Sequence, residues 1–175
     1  MTPLDIKPYI SEQDLQKKVA EIGASITKKL KGKKVVAVCV LKGSFMFYSD
    51  LIRQMEMDLS CEFFGVSSYH GVSSSGEVKV TLDLTRPIED QHVLLIEDIV
   101  DTGLTMNYLK NSILARKPAS LTTVALLEKP DALKVPCQID FVGFKIPNDF
   151  VVGYGLDYQG YYRNLPFIGQ VQNFQ

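Results

Sequence analysis

Apolar residues recur every three or four positions between Ser11 and Gly32, which is the spacing of one face of a helix. Ser11 is a residue type that caps helix N-termini, and Gly32 offers a C-terminal stop. A continuous β-branched run at 35–41 is typical of a strand that is buried on both faces in a parallel sheet. Helical spacing returns between Gly43 and Met55, and it predicts a second helix.

The remainder of the chain continues this alternation of strands and helices. One more helix is predicted from Leu104 to near Pro118, and extended segments are predicted at 59–66, 77–84, 92–96, 121–127, 139–144 and 150–154. Such alternation indicates an α/β fold in which helices flank a mostly parallel central sheet. Because ligands of these folds bind at the carboxyl ends of the strands, we expect the functional site there. No linker or composition break divides the 175 residues, which predicts a single domain over 1–175.

Composition excludes several classes of partner. The net charge of −1 gives no global positive field for nucleic acid or an anionic membrane. No apolar run approaches the roughly 18 residues of a membrane span, and the N-terminus does not resemble a signal peptide, so we expect a cytoplasmic protein. The three cysteines lack metal-binding spacing and are expected to be buried free thiols.

The segment at 67–76 is small and polar, with the sequence Ser-Ser-Tyr-His-Gly-Val-Ser-Ser-Ser-Gly. Such a stretch buries too little apolar area to offset the entropy of ordering itself. It is either an inert surface loop or a lid that orders over a substrate, and the residue pattern alone leaves both open.

Chemistry-bearing residues are concentrated after the strand predicted at 92–96. Three carboxylates occur within five residues, at Glu97, Asp98 and Asp101, and such crowding raises their pKa values unless donors or cations compensate. Asp101 is followed by the sequence Thr-Gly-Leu-Thr, which lies at the start of a predicted helix. Unpaired backbone N–H groups there, with the helix dipole and threonine hydroxyls, suit a phosphate monoester. A ribose 5-phosphate would satisfy both the carboxylates and this cradle.

The residues from Val93 to Thr105 resemble the phosphoribosyl-diphosphate signature of type I phosphoribosyltransferases. The resemblance extends over nearly the whole chain, and it is specific to hypoxanthine (hypoxanthine-guanine) phosphoribosyltransferases. Further matching segments are Leu41-Lys42-Gly43, Ser67-Ser68-Tyr69, Glu128-Lys129, Asp140-Phe141-Val142-Gly143-Phe144 and Phe150–Tyr158. The resemblance implies a hood formed by the N-terminal segment and about 140–175, and a mobile lid at about 67–77 that begins with Ser67, Ser68 and Tyr69.

The resemblance also implies roles at the sugar phosphate. Glu97 and Asp98 would hold the ribose hydroxyls, directly or through Mg²⁺, and Asp101 would act as general acid/base at N7 of the purine. The 5′-phosphate would be wrapped by Asp101, Thr102, Gly103, Leu104 and Thr105. Many relatives have lysine where this chain has Leu104, so backbone N–H groups would carry more of the phosphate binding here.

The diphosphate and the base are assigned in the same way. Leu41, Lys42 and Gly43 would bind diphosphate through a loop that has a cis Leu41–Lys42 peptide in relatives, and Arg163 would assist. On the base side the resemblance implies that Lys129 donates to the 6-oxo group, Phe150 stacks, Val151 binds through its main chain, and Asp157 helps to hold a second Mg²⁺.

The function that the resemblance implies is purine salvage. Phosphoribosyl would pass from phosphoribosyl diphosphate to N9 of hypoxanthine, and of guanine as well, in a homodimer or homotetramer that requires Mg²⁺. Two alternatives stay open: a regulatory protein that senses nucleotides or binds RNA, and a transferase for another base such as a pyrimidine, adenine or xanthine. A lysine at 129 favours a 6-oxopurine over adenine, because a cationic donor suits an oxygen acceptor.

Overall fold

Nine strands, three α-helices and one 3₁₀ turn (Pro130–Ala132) make up the part of the chain described here, residues 4–68 and 78–172 of a computed structural model. Tyr69 and most of the predicted lid lie outside these residues. The elements in chain order are β1 (Ile6–Ile10), α1 (Glu12–Lys29), β2 (Val35–Leu41), α2 (Phe45–Arg53), β3 (Leu59–Ser68), β4 (Val78–Leu82), β5 (His92–Val100), α3 (Leu104–Leu114), β6 (Ser120–Glu128), β7 (Phe141–Lys145), β8 (Val151–Val152) and β9 (Ile168–Val171).

Six strands form the central sheet in the order β4-β3-β2-β5-β6-β7. All neighbours in it are parallel except β4, which pairs antiparallel with β3 at the edge. Strand β2 is buried on both faces, as its β-branched composition predicts. Two apolar cores result, one on each face of the sheet. The predicted α/β architecture is confirmed.

Helix α1 begins as the sequence predicts. The Asp14 backbone N–H donates to the Ser11 side-chain oxygen at 3.1 Å, which satisfies one of the free N–H groups of the first turn. Apolar residues such as Leu15 and Ile26 are fully buried along one face. Gly32 follows the helix with φ of +76°, a left-handed conformation that glycine adopts without strain.

Strand β5 is longer than the predicted segment, which ended at Ile96. The ladder with β6 continues through the pairs Glu97 with Ala125, Ile99 with Leu127 and Val100 with Glu128. Glu97 and Asp98 therefore belong to the strand itself and not to a turn that follows it. Continued pairing explains the difference, because backbone ladder bonds satisfy this segment whatever its side chains.

The first and last strands build a second sheet, in which β9 pairs antiparallel with both β1 and β8. This sheet is the expected hood. Its C-terminal part starts later than the expected residue 140, because Phe141–Lys145 extends the central sheet instead.

The apolar patterns of α2 and β3 also predict that their four phenylalanines lie in the core, and for two of them this is wrong. Phe47 and Phe64 are buried, but Phe45 and Phe63 are 36% and 42% exposed. Alternation along β3 sends Phe64 into one core and places Phe63 on the other face, beside the Tyr48 ring. Cys61 lies on that same exposed face, so it is not a buried thiol, whereas Cys39 is buried. No helix within the described ranges is long and apolar enough to cross a membrane.

Candidate active site

A cleft of about 300 Å³ lies where the loops after β2, β5 and β6 approach the hood. Its walls bring together residues from across the chain: Gly43, Asp98, Ile99, Asp101, Lys129, Phe150, Val151, Leu156, Asp157 and Arg163. Most of these are residues that the sequence singles out. The convergence follows from topology, because adjacent parallel strands end at the same edge of the sheet.

The acidic pair of β5 is buried at the edge of this cleft. Glu97 and Asp98 are 9% and 8% exposed. Burial raises the pKa of Glu97 well above its ordinary value, and the charge of Asp98 raises it further. Burial also raises the pKa of Asp98, although a hydrogen bond from the Ile99 backbone N–H at 2.8 Å opposes that shift. Within the described part of the chain, Glu97 Oε2 is buried without a hydrogen-bond partner.

The loop at 41–43 passes directly over Asp98. The Leu41–Lys42 peptide is cis, as the resemblance implies. A Cβ added to Gly43 would overlap the Asp98 carboxylate, so this position accepts only glycine without rearrangement. Lys42 is exposed, and its neighbour Gly43 lines the cleft. The loop therefore brings backbone groups close to the acidic pair.

Asp101 lies beyond the end of β5 and, unlike the buried pair Glu97 and Asp98, is accessible to solvent. Its side chain is 48% exposed, and its Oδ2 is 3.4 Å from Lys129 Nζ. The Lys129 side chain is only 8% exposed, and its backbone N–H donates to the Val100 carbonyl at 2.9 Å. A largely buried ammonium therefore faces the cleft next to a carboxylate that solvent and ligands can reach.

Helix α3 starts at the same edge of the sheet. Gly103 is its N-cap with φ of +80°, and it provides no side-chain cap for the first-turn N–H groups. The Leu104 N–H lies 3.4 Å from Thr102 Oγ1, and no acidic side chain occupies the first turn. A cap without a competing carboxylate suits an external anion. Thr102 and Thr105 are half-buried beside it.

The base side of the cleft comes from the hood. Phe150 stands edge-on to Tyr158, with 5.8 Å between ring centroids, and its carbonyl accepts from the Val171 N–H at 2.9 Å. Val151 is buried in β8. This arrangement presents an aromatic ring and apolar walls opposite Lys129.

Asp157 and Arg163 close the same side. Arg163 Nη2 lies 2.6 Å from Asp157 Oδ1, and Nη1 donates to the Gly155 carbonyl. The Gly160 N–H also donates to Asp157 Oδ2 at 2.7 Å. Arginine and aspartate therefore hold each other at this side of the cleft.

The expected metal ligands fit Mg²⁺ by their chemistry. They are carboxylates, the oxygen ligands that this ion prefers, and the unpartnered Glu97 oxygen needs a cation or a donor. The described residues hold no preformed group of three metal-ligating side chains.

Not every predicted site residue lines the cleft, and not every lining residue is predicted from the sequence. Several predicted site residues do not line the cleft themselves but lie close in the chain to residues that do: Leu41, Lys42, Glu97 and the segment 102–105. Ser67 lies near the C-terminal end of β3 and is exposed. Leu156 and Ile99 also line the cleft; they lie within the segments that carry the family resemblance, but as ordinary apolar residues they have no predicted role of their own. An adjoining recess of about 400 Å³ is also lined by Asn148 and Asp149. In the sequence these two residues look like the polar residues of any surface loop.

Comparison with known proteins agrees with this geometry. Residues 9–159 match the family model described as the phosphoribosyl transferase domain. A hypoxanthine-guanine phosphoribosyltransferase of Staphylococcus aureus is 48% identical over 170 residues, which cover 96% of this chain and 95% of that protein. Among solved structures, a Staphylococcus aureus hypoxanthine phosphoribosyltransferase superposes with a TM-score of 0.91 at 47% identity, covering 97% and 92% of the two chains. A Bacillus anthracis hypoxanthine-guanine phosphoribosyltransferase gives 0.91 at 43% identity, covering 95% and 99%.

Proposed function

Because the chain belongs to the hypoxanthine-guanine phosphoribosyltransferases of purine salvage, we propose that its cleft binds phosphoribosyl diphosphate beside a 6-oxopurine base. The enzyme breaks the bond between C1′ and the diphosphate oxygen and forms the bond from C1′ to N9 of hypoxanthine or guanine. Diphosphate leaves, the base gives up one proton, and the product is IMP or GMP.

One observation carries this proposal. The buried Glu97–Asp98 pair, the uncapped start of α3 and the Lys129–Asp101 pair surround a single cleft. Vicinal hydroxyls of a ribose supply the donors that Glu97 Oε2 lacks, and the 5′-phosphate accepts from the first-turn N–H groups of α3 and the Thr102 and Thr105 hydroxyls.

Asp101 is placed to handle the proton. Its exposed carboxylate faces the cleft next to the Lys129 ammonium. A carboxylate there takes the proton that the purine loses when N9 attacks C1′, which is general base catalysis. Lys129 donates to the 6-oxo group and so selects a base with an oxygen acceptor. Phe150 stacks on the ring, and Val151 binds the base through its main chain.

The diphosphate end develops negative charge during the transfer. The Leu41-Lys42-Gly43 loop offers backbone N–H groups and Arg163 a guanidinium, and preorganised donors stabilise charge where it appears. Glu97 and Asp98 would hold one Mg²⁺ and Asp157 would help to hold another. When bound, these ions neutralise phosphate oxygens. Ser67, Ser68 and Tyr69 start the segment that we propose to close over the site and exclude water.

We further propose that the enzyme works as a homodimer or homotetramer, as its family resemblance implies. Sedimentation equilibrium of the purified protein measures this directly, and a monomeric mass at micromolar concentration would contradict it.

A panel of bases tests the proposal. The protein is incubated with phosphoribosyl diphosphate, Mg²⁺ and each of hypoxanthine, guanine, xanthine, adenine and uracil, and the nucleotide formed is quantified. We expect turnover of hypoxanthine and guanine, with little of adenine or uracil. Turnover confined to adenine or uracil would contradict the role of Lys129.

The matched variant is Asp101→Asn, which keeps the shape of the side chain and removes its basicity. We expect kcat to fall by roughly 10²–10⁴-fold, the range of general acid/base groups, while binding of GMP persists. Calorimetric titration with GMP supplies the control. Loss of binding without a separate rate defect would assign Asp101 a structural role.

A further inference from the structure

Tyr154 occupies an unusual turn behind the base side of the cleft. It is the middle of three consecutive residues with positive φ: Gly153 at 100°, Tyr154 at 49° and Gly155 at 103°. Positive φ is uncommon for a residue with a side chain. The Tyr154 backbone N–H donates to the Leu165 carbonyl at 2.9 Å, and its phenol reaches out of the hood to donate to Asp50 Oδ2 at 2.6 Å. The two ends of this residue therefore hold two separate parts of the fold together.

Asp50 lies on α2, the helix that follows the 41–43 loop. The Phe45 N–H of α2 lies 3.4 Å from the Lys42 carbonyl, so the helix and the loop are continuous. The residue after Tyr154 meets the same loop, because a Cβ on Gly155 would overlap the Gly43 carbonyl oxygen. The turn at 153–155 thus touches the loop directly and is tied by Tyr154 to the helix behind it.

Groups that face the cleft depend on where this turn lies. The Gly155 carbonyl accepts from Arg163, and Arg163 pairs with Asp157. Leu156 and Asp157 follow the turn immediately and line the cleft. A shift of the turn relative to α2 would therefore move the base side of the cleft relative to the loop at 41–43.

We infer that the hydrogen bond from Tyr154 to Asp50 is a positioning contact that fixes the spacing between the 41–43 loop and the base-binding turn. The contact brings a bound base and the reacting sugar diphosphate into reactive alignment, so Tyr154 and Asp50 are positioning residues that act through their neighbours. This inference rests on the proposed function of the cleft. Burial and the bond to Asp50 both raise the pKa of Tyr154, which keeps the phenol protonated as a donor.

The test compares two buried tyrosines whose phenols tie different parts of the fold together. Tyr154→Phe removes the phenolic O–H and keeps the ring. Tyr48→Phe is the control, because Tyr48 is also buried and lies on α2, the helix that carries Asp50, but donates to the Ala37 carbonyl of β2 at 3.2 Å. Both variants are expected to lower Tm, Tyr154→Phe by more, because its phenol donates to a carboxylate whereas that of Tyr48 donates to a neutral carbonyl.

The rates separate the two variants. Since small misplacements of reacting groups are costly, we expect Tyr154→Phe to lower kcat about tenfold per folded molecule, with KM for each substrate within about threefold of wild type. Tyr48→Phe is expected to keep kcat within about twofold. Equal kcat in the two variants would overturn the inference. Turnover by wild type and Tyr48→Phe reports the proposed function separately, so a failure of that function is visible in its own right.

Substitutions of Asp50 complete the test and stand in if Tyr154→Phe folds poorly. Asp50→Ala is expected to lose as much rate as Tyr154→Phe, and the double variant to be no slower than either single one. Asp50→Asn keeps an oxygen acceptor and should restore most of the rate. Losses that multiply in the double variant, or an Asp50→Asn enzyme as slow as Asp50→Ala, would overturn the inference.

Discussion

Two buried glutamates on strands of the same sheet have opposite surroundings. Glu62 on β3 is 4% exposed, and it accepts from the backbone N–H of Thr85 at 2.9 Å and from its hydroxyl at 2.8 Å, with Arg86 Nε 3.8 Å away. Glu97 on β5 is 9% exposed; its Oε2 lacks a hydrogen-bond partner in the described structure, and its neighbour is another acid, Asp98.

The contrast separates a structural acid from a functional one. A buried carboxylate is costly unless donors compensate, and for Glu62 the chain itself supplies them. Within the described residues Glu97 Oε2 has no such donor and Asp98 receives the Ile99 N–H, and burial raises both pKa values. A partner for Glu97 Oε2 would have to come from a ligand, which is why we propose this pair, and not Glu62, as part of the ligand site.

The largest effect expected from the comparison is loss of substrate affinity in a Glu97→Gln/Asp98→Asn double variant. Hydrogen bonds to charged groups contribute roughly 1.5–3 kcal/mol each, so KM for phosphoribosyl diphosphate should rise by about 100-fold. Stability should not fall, because an unfavourable buried charge has been removed. Steady-state kinetics and urea unfolding measure the two quantities. An unchanged KM, or a marked loss of stability, would contradict the distinction between a structural acid at Glu62 and a ligand-binding pair at Glu97 and Asp98.

The opposite pattern is expected for Glu62→Gln. The amide keeps only one acceptor oxygen for the two Thr85 donors, so the free energy of unfolding should fall by about 1–3 kcal/mol. The kinetic constants of the folded enzyme should stay within about twofold of wild type, since Glu62 does not line the cleft. Glu56→Gln, at an exposed glutamate, is the control. A Glu62 variant that is stable but inactive would reverse the assignment.

The sequence reveals the acids themselves but not their surroundings. Glu97, Asp98 and Asp101 stand out because three carboxylates follow an apolar run, and their positions at the end of β5 follow from the fold class. The local pattern ended the strand at Ile96, since acidic residues are depleted in strands. Pairing with β6 carries the strand on to Val100, and such pairing between distant segments is invisible to periodicity.

The hood shows the same limit more strongly. Strand β1 contains Lys7 and Pro8, which no strand pattern favours, and it pairs with β9 near the other end of the chain. Proline is tolerated there because β1 is an edge strand. Resemblance to a family, rather than the residue pattern, indicated that these segments meet above the site. The Tyr154 bond to Asp50 had no sequence signal at all.

The smallest expected effect concerns Asp140, a second acid that the chain satisfies. Although partial burial opposes it, hydrogen bonds from Lys29 and Thr123 hold the pKa of Asp140 below its ordinary value of 3.8. A lowered pKa in the folded state gives stability that is present above pH 3.8 and is lost as the pH falls through the folded value. This half-exposed pairing is screened by solvent, so its effect is modest.

Asp140→Asn should therefore have a lower free energy of unfolding than wild type near neutral pH, by roughly 1 kcal/mol or less. This gap in the free energy of unfolding should narrow at about pH 3.5. Urea unfolding at both pH values measures it. A gap that stays constant with pH would show that the charge of Asp140 is irrelevant, and that only the packing of its side chain matters.

On our proposal, the buried pair Glu97 and Asp98 of β5 takes its hydrogen-bond partners from a ribose. The test is calorimetric titration of wild type and of the Glu97→Gln/Asp98→Asn variant with GMP and with 2′-deoxyguanosine 5′-monophosphate. The four affinities form a thermodynamic cycle that measures the coupling between the ligand's 2′-hydroxyl and the two protein carboxylates. Wild type should bind GMP about tenfold more tightly than the deoxynucleotide, and the variant should bind both within about twofold. Equal binding by wild type, or discrimination that survives in the variant, would contradict it.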